Sequence, residues 1–262
     1  ATGGRSSGEA HVITGEWLAL AAIALAVGFF IGAVGVGGIL LIPTLVWLGG
    51  LPIHQATATA LFSFLFTGVA GTWMFQRRGS IDWNITLPLL AGALIFSYLG
   101  AMAKAMVNAA ALELIIALII VFAGAYILLH RRRENGGYRD GRSRGQQLLL
   151  MIVGALAGFG SGLSGAGGPL FSVPMMLVLG FFPLAAIGAS QVLQIVSALS
   201  GTLGNLQFGS IDFVFAAWIT LFELAGAVAG ARAAHAASVI LLRRTAAGLC
   251  VLTGLLMLAR TL

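Results

Sequence analysis

Charge is scarce in this sequence: only 8% of its 262 residues are Asp, Glu, Lys or Arg, against roughly 25% in a soluble globular domain. With 59% hydrophobic residues and a mean hydropathy of +1.02, so little charge cannot solvate a globular surface, and the solvent for most of the chain is lipid. Cysteine is scarcer still. Cys250 is the only one and lies inside an apolar run, so an internal disulfide, a thiolate metal cluster and a CxxC redox pair are all excluded. Catalytic signatures are missing too: there is no GxSxG, HExxH, Walker A sequence or metal-ligand cluster. No cofactor is expected, and the chain reads neither as an enzyme nor as a self-contained ATP-driven pump. Gly160-x-Gly162-x-x-Gly165 matches a dinucleotide fingerprint by letter, but no strand pattern precedes it. The net charge of +6 resides largely in arginines of short loops between apolar segments, where they set topology and do not form a nucleic-acid surface.

What the sequence does contain is long apolar runs, at about 17–49, 55–76, 84–103, 110–130, 147–182, 184–207, 213–234 and 239–260. Runs of about 20 residues without strict alternation predict membrane-spanning helices, hence an all-α polytopic membrane protein. Residues 1–16 form a polar, glycine-rich tail that lacks an initiator Met and a signal-peptide core, which reads as a processed tail. The basic stretch RRRENGGYRDGRSRG lies in a linker over 131–146, and its six arginines predict a cytoplasmic location. It separates two membrane units, 17–130 and 147–262.

The two units are copies at one offset of 130 residues: Gly35 pairs with Gly165, Gly71 with Gly201, Gly100 with Gly230, and Gly79-Ser80-Ile81-Asp82 recurs as Gly209-Ser210-Ile211-Asp212. Each repeat holds about four membrane segments, and the first of each is overlong and carries a glycine cluster. If that segment crosses once, the copies are parallel. If it folds back at its glycines, each copy has an odd number of crossings and the copies are inverted, with Arg77, Arg78, the 131–145 stretch, Arg232, Arg243 and Arg244 on the cytoplasmic side and mainly Lys104 and Arg260 outside. The positive-inside rule favours the inverted arrangement.

Chemistry is expected at the two glycine clusters, GAVGVGGILLIP (32–43) and GLSGAGGPLFSVP (162–174). A helix broken there exposes backbone N–H groups at a half-helix N terminus, which can hold an anion without a charged side chain. Irregular backbone at membrane depth is tolerated where it is buried in protein or lines a cavity. The substrate-binding candidates are Gly35, Gly37, Gly38, Ser164, Gly165, Gly167 and Gly168, joined by Thr59 and Ser63 on the helix after the first break and Gln191 and Gln194 after the second. These hydroxyls and amides could coordinate an oxyanion, or could serve as hydrogen-bond glue between helices. The GxxxG patterns Gly28/Gly32, Gly154/Gly158/Gly162 and Gly226/Gly230 read as close-packing seams. Glu223, in mid-segment, is the candidate ion-coupling group, and Asp82 and Asp212 read as helix N-caps.

GFFIGAVGVGGILLIPTLVWLGG followed by HQATATALF, the second copy GFGSGLSGAGGPLFSVP and the two GSID motifs together resemble the TauE/SafE sulfite exporter family over about residues 17–260. The resemblance implies a secondary transporter in the bacterial inner membrane, exporting sulfite or organosulfonates such as sulfoacetate under an ion gradient. The glycine breaks would hold the anion. Its partners would be that small anion and the bilayer, with a homodimer allowed; an anion channel of the same architecture is the alternative.

Overall fold

The computed structural model describes residues 7–34, 37–129 and 139–233, together with 248, 251, 252, 254–256, 258 and 259. Gly35, His130, residues 131–138 of the basic linker and most of the apolar run 239–260 lie outside the described residues. The described residues are helical apart from short connections and one isolated bridge between Arg139 and Phe181. The first repeat comprises α1 (Ser7–Val34), a 3-10 turn (Gly38–Leu40), α2 (Leu41–Trp47), α3 (Ile53–Arg77), α4 (Trp83–Ala105) and α5 (Ala109–Leu129). The second begins with α6 (Arg144–Ser164), α7 (Pro169–Val178), α8 (Pro183–Phe208) and α9 (Phe213–Ala233). Five of these, α3, α4, α6, α8 and α9, are long and apolar enough to cross a membrane.

Both overlong apolar segments are broken at their glycines, and at both the chain turns back. A Cβ at Gly37 would stand 2.8 Å from the Phe30 Cβ and 3.0 Å from the Val27 carbonyl oxygen, so the chain after α1 returns along it. In the second repeat a Cβ at Gly160 would stand 2.9 Å from the Phe171 ring. The Arg139 N–H, ahead of α6, donates to the Gly180 carbonyl, beyond α7, at 3.1 Å. Helix α7 therefore ends where α6 began.

Helix contacts run mainly across the repeats. Gly28 and Gly32 of α1 meet Glu223 and Ala227 of α9, while Gly154, Gly158 and Gly162 of α6 meet Leu89, Ala93 and Ser97 of α4, each pair of helices advancing in the same direction. At Gly28, Gly32, Gly154 and Gly162 an added Cβ would strike a backbone carbonyl oxygen, so only glycine lets the two backbones approach. The GxxxG patterns are thus packing seams. Helices α3 and α8 run antiparallel through the centre, where Gln194 reaches Phe64 and Thr67 and Gln191 lies against Gly71. They are the most buried of the five spanning helices, whereas the other three leave Leu94, Ile95, Leu156 and Leu221 exposed on the outside of the bundle.

Arg78 donates to the Ala231 carbonyl at 3.3 Å, and Gly188 abuts Ser80, which gathers Arg77, Arg78, Arg139, Arg142, Arg144 and Arg232 at one end of the bundle. The first GSID turn lies at this arginine end. The second lies at the opposite end, where the Asp212 N–H donates to Thr59 Oγ1 at 3.0 Å. Each turn caps the helix that follows: Asp82 accepts from the Asn84 N–H at 2.9 Å, and Asp212 accepts from the Val214 and Phe215 N–H groups at 3.0 Å. Asp212→Ala should lower stability by about 1 kcal/mol, with Asp212→Asn near the parent, in thermal unfolding of the detergent-purified protein.

Candidate functional site

The glycine breaks converge. A Cβ at Gly38 would stand 3.1 Å from the Ala166 carbonyl oxygen, so the first break touches the second although the two fold back in opposite directions. The Phe64 ring, from the middle of α3, fills the space between them, 2.6 Å from a Cβ at Gly38 and 3.4 Å from one at Gly167. Phe64 is buried. In the second break Gly165 (φ 72°) and Gly167 (φ 84°) hold left-handed backbone that side-chain-bearing residues avoid. That geometry ends α6 and presents Gly168 and Pro169 as the start of α7. The 3-10 turn starts at Gly38 and runs on into α2 at Leu41, so the positive ends of this turn and of α7 both lie beside the Phe64 ring.

Side chains around the breaks divide into those already hydrogen-bonded and those without a partner. Ser164 donates to the Gly160 carbonyl at 2.6 Å and accepts from the Ala166 N–H; Ser63 donates to the Ala60 carbonyl at 2.8 Å; Thr59 accepts from Asp212. The Gln194 amide donates to the Phe64 carbonyl at 3.0 Å and to Thr67 Oγ1 at 2.8 Å, and the Gln191 amide donates to the Ile31 carbonyl at 3.1 Å. The two glutamines thereby tie α8 to α3 and to the last turn of α1. Among the described residues, the buried Ser161 and Ser197 hydroxyls and the Gln191 Oε1 have no hydrogen-bond partner. Ser197 Oγ lies 3.3 Å from a Cβ placed at Gly168, at the opening of α7. Buried polar atoms without partners are uncommon and costly, which makes Ser197, at the opening of α7, a candidate ligand group.

Glu223 is fully buried at the middle of α9, and neither carboxyl oxygen has a partner among the described residues. Ser63 lies beside it, but its hydroxyl hydrogen is directed to Ala60. Trp17–Val34 of α1, packed along α9, contains no titratable side chain, and α3 carries His54 and Arg77 only toward its ends. The carboxyl group is therefore isolated from any described counter-charge at mid-membrane depth.

Two residues gain importance only in three dimensions. Phe64 has the composition of any core phenylalanine, and nothing in its spacing separates it from its neighbours. Lys104, at the edge of an apolar run, reads from sequence only as a topology cation on the outer side. It is instead in the last turn of α4 with 1% of its surface exposed. Its Nζ donates to Thr57 Oγ1 at 3.3 Å.

Residues 20–257 match the family described as Sulfite exporter TauE/SafE. Among curated relatives, the chain is 27% identical over 210 residues to the Probable membrane transporter protein YdhB of Bacillus subtilis, covering 78% of this chain and 83% of that one. It is 22% identical over 221 residues to the Probable membrane transporter protein YunE of the same organism, covering 74% and 81%. A Probable membrane transporter protein of Haemophilus influenzae is 26% identical over 192 residues, with 70% of each chain covered. No solved structure matches the chain. A family match over nearly the whole sequence, on a bundle of apolar helices with two broken segments, makes this chain a membrane transporter of the TauE/SafE family.

Proposed function

We propose that the protein is a secondary transporter that exports a small sulfur oxyanion, sulfite or an organosulfonate such as sulfoacetate, across the bacterial inner membrane. The observation that carries this reading is the meeting of the two glycine breaks at Phe64, which directs two half-helix N termini at one place inside the bundle. Such N termini bind oxyanions through backbone N–H groups and the helix dipole. Gly37, Gly38, Gly165, Gly167 and Gly168 supply the irregular backbone, Ser197 and Ser161 supply hydroxyls with no other partner among the described residues, and Gln191 and Gln194 hold α8 in register beside it. Gly35 completes the first cluster in sequence. The Phe64 ring fills the space between the breaks.

The two repeats are proposed to be inverted. The fold-back at each break, the antiparallel run of α3 and α8, and the placement of the two GSID turns at opposite ends all support that arrangement. The arginine end would face the cytoplasm. Alternating access would then follow from movement of one repeat against the other around the breaks. The test is uptake of labelled sulfite into proteoliposomes, competed by thiosulfate, sulfate and sulfoacetate. Saturable uptake that follows an imposed ion gradient supports the reading. Flux that never saturates would mean a channel, and absence of uptake with every anion would remove the substrate class.

A further inference from the structure

We infer that Lys104 anchors a second anion site, at the end of the bundle opposite the arginines, on the approach to the second glycine break. The inference rests on the reading of the protein as an anion transporter and adds a residue and a place to it. Lys104 projects from the last turn of α4 and is almost wholly enclosed, yet its single hydrogen bond among the described residues is the long one to Thr57 Oγ1. Thr57 is already committed through its own hydrogen, donated to the His54 carbonyl at 2.9 Å, so it can only accept from the amine. Once the amine is protonated, two of its three N–H groups remain without a partner among the described residues. No ion pair reaches Lys104 there. The Asp212 carboxylate is engaged by two backbone N–H groups, and Glu113 lies on α5 with no hydrogen bond or ion pair to Lys104.

An ammonium enclosed in this way loses its hydration, which is costly without a counter-charge. An incoming anion supplies the missing counter-charge. The location also connects the site to the breaks. The Thr57 carbonyl is in direct contact with Gly165, the residue that turns the chain out of α6, so Lys104 is joined through Thr57 to the second break. At the offset of 130 the position of Lys104 is taken by Ala234, so the fixed cation serves one end of the pathway only. Three oxygens around one centre match the chemistry: one pairs with the ammonium, and the others remain for the Thr57 hydroxyl, after it rotates away from His54, and for water.

The test is thermal unfolding of the detergent-purified protein at constant ionic strength, with sodium gluconate replaced stepwise by sulfite, thiosulfate, sulfoacetate or chloride. A ligand that binds only the folded state raises Tm with its concentration. At least one of these anions should raise the Tm of the parent protein. Lys104→Gln should weaken the concentration dependence by about tenfold or more, the loss of a charge-assisted contact, whereas Lys104→Arg should keep most of it. Should Lys104→Gln fail to fold, Thr57→Val carries the same comparison, with a weaker but measurable loss expected. A parent Tm indifferent to all four anions, or a Lys104→Gln protein with the parent's response, overturns the inference. Stabilisation by an anion through Lys104, in a protein that moves no sulfite into liposomes, would overturn the sulfite reading while leaving the site standing.

Discussion

Gly167→Leu should insert and fold yet lose transport, with flux falling at least about tenfold, the factor that roughly 1.4 kcal/mol represents. Gly167 has φ 84° and stands 3.4 Å, measured from an added Cβ, from the Phe64 ring, with no backbone atom in collision. A leucine there pays the left-handed penalty of about 1–2 kcal/mol and fills the space through which the break would have to reach its ligand. The contrasting substitution is Gly154→Leu. There the added carbon would run into the Leu89 carbonyl oxygen on the α4–α6 seam, so the helices could not close and folded protein should be lost. Size-exclusion profiles separate these outcomes from each other, and liposome flux reads the function. Normal flux in Gly167→Leu would remove the breaks from the transport path. A collapsed Gly167→Leu protein would make that glycine a packing residue like Gly154.

Much of the architecture is legible in the sequence because it is written twice. The offset of 130, the paired glycine clusters and the repeated GSID motif locate the helix breaks and the caps, since unwinding and capping are local properties of glycine, proline and aspartate. Pairing between helices is not local. Gly28 and Gly154 announce that some backbone comes close, but a GxxxG pattern carries nothing about its partner, and the cross-repeat pairs α1 with α9 and α4 with α6 emerge only in three dimensions. The partners of Gln191 and Gln194 are backbone carbonyls of Ile31 and Phe64, which any residue could provide, so the glutamines could be read as substrate ligands or as ties with equal justice. Phe64 and Lys104 were hidden for opposite reasons. A phenylalanine within an apolar run has no contrast with its surroundings, and a lysine at the end of such a run has the pattern of one that extends its amine to the membrane surface.

Glu223→Gln should uncouple transport from pH. The parent carboxyl group is enclosed by α1 and α3, has no hydrogen-bond partner for either oxygen among the described residues, and has no titratable neighbour along Trp17–Val34. A carboxylate in that position is costly, whereas the protonated acid is far less so, and exchange between the two states has to be linked to some change around it. Ser63 is placed for such a change, because rotating its hydroxyl from the Ala60 carbonyl toward Glu223 would stabilise the charged form. Glutamine preserves the shape and cannot exchange a proton. Anion exchange across liposomes with equal pH on both sides should therefore persist, while accumulation driven by an imposed pH difference should fall to the level seen without one, a loss of about tenfold if one proton is coupled per anion across one pH unit. The pH profile of exchange should flatten over the same range. A Glu223→Gln protein that still concentrates substrate under an imposed pH gradient would return Glu223 to a packing role against Gly28, and would move the search for a coupling group to His54.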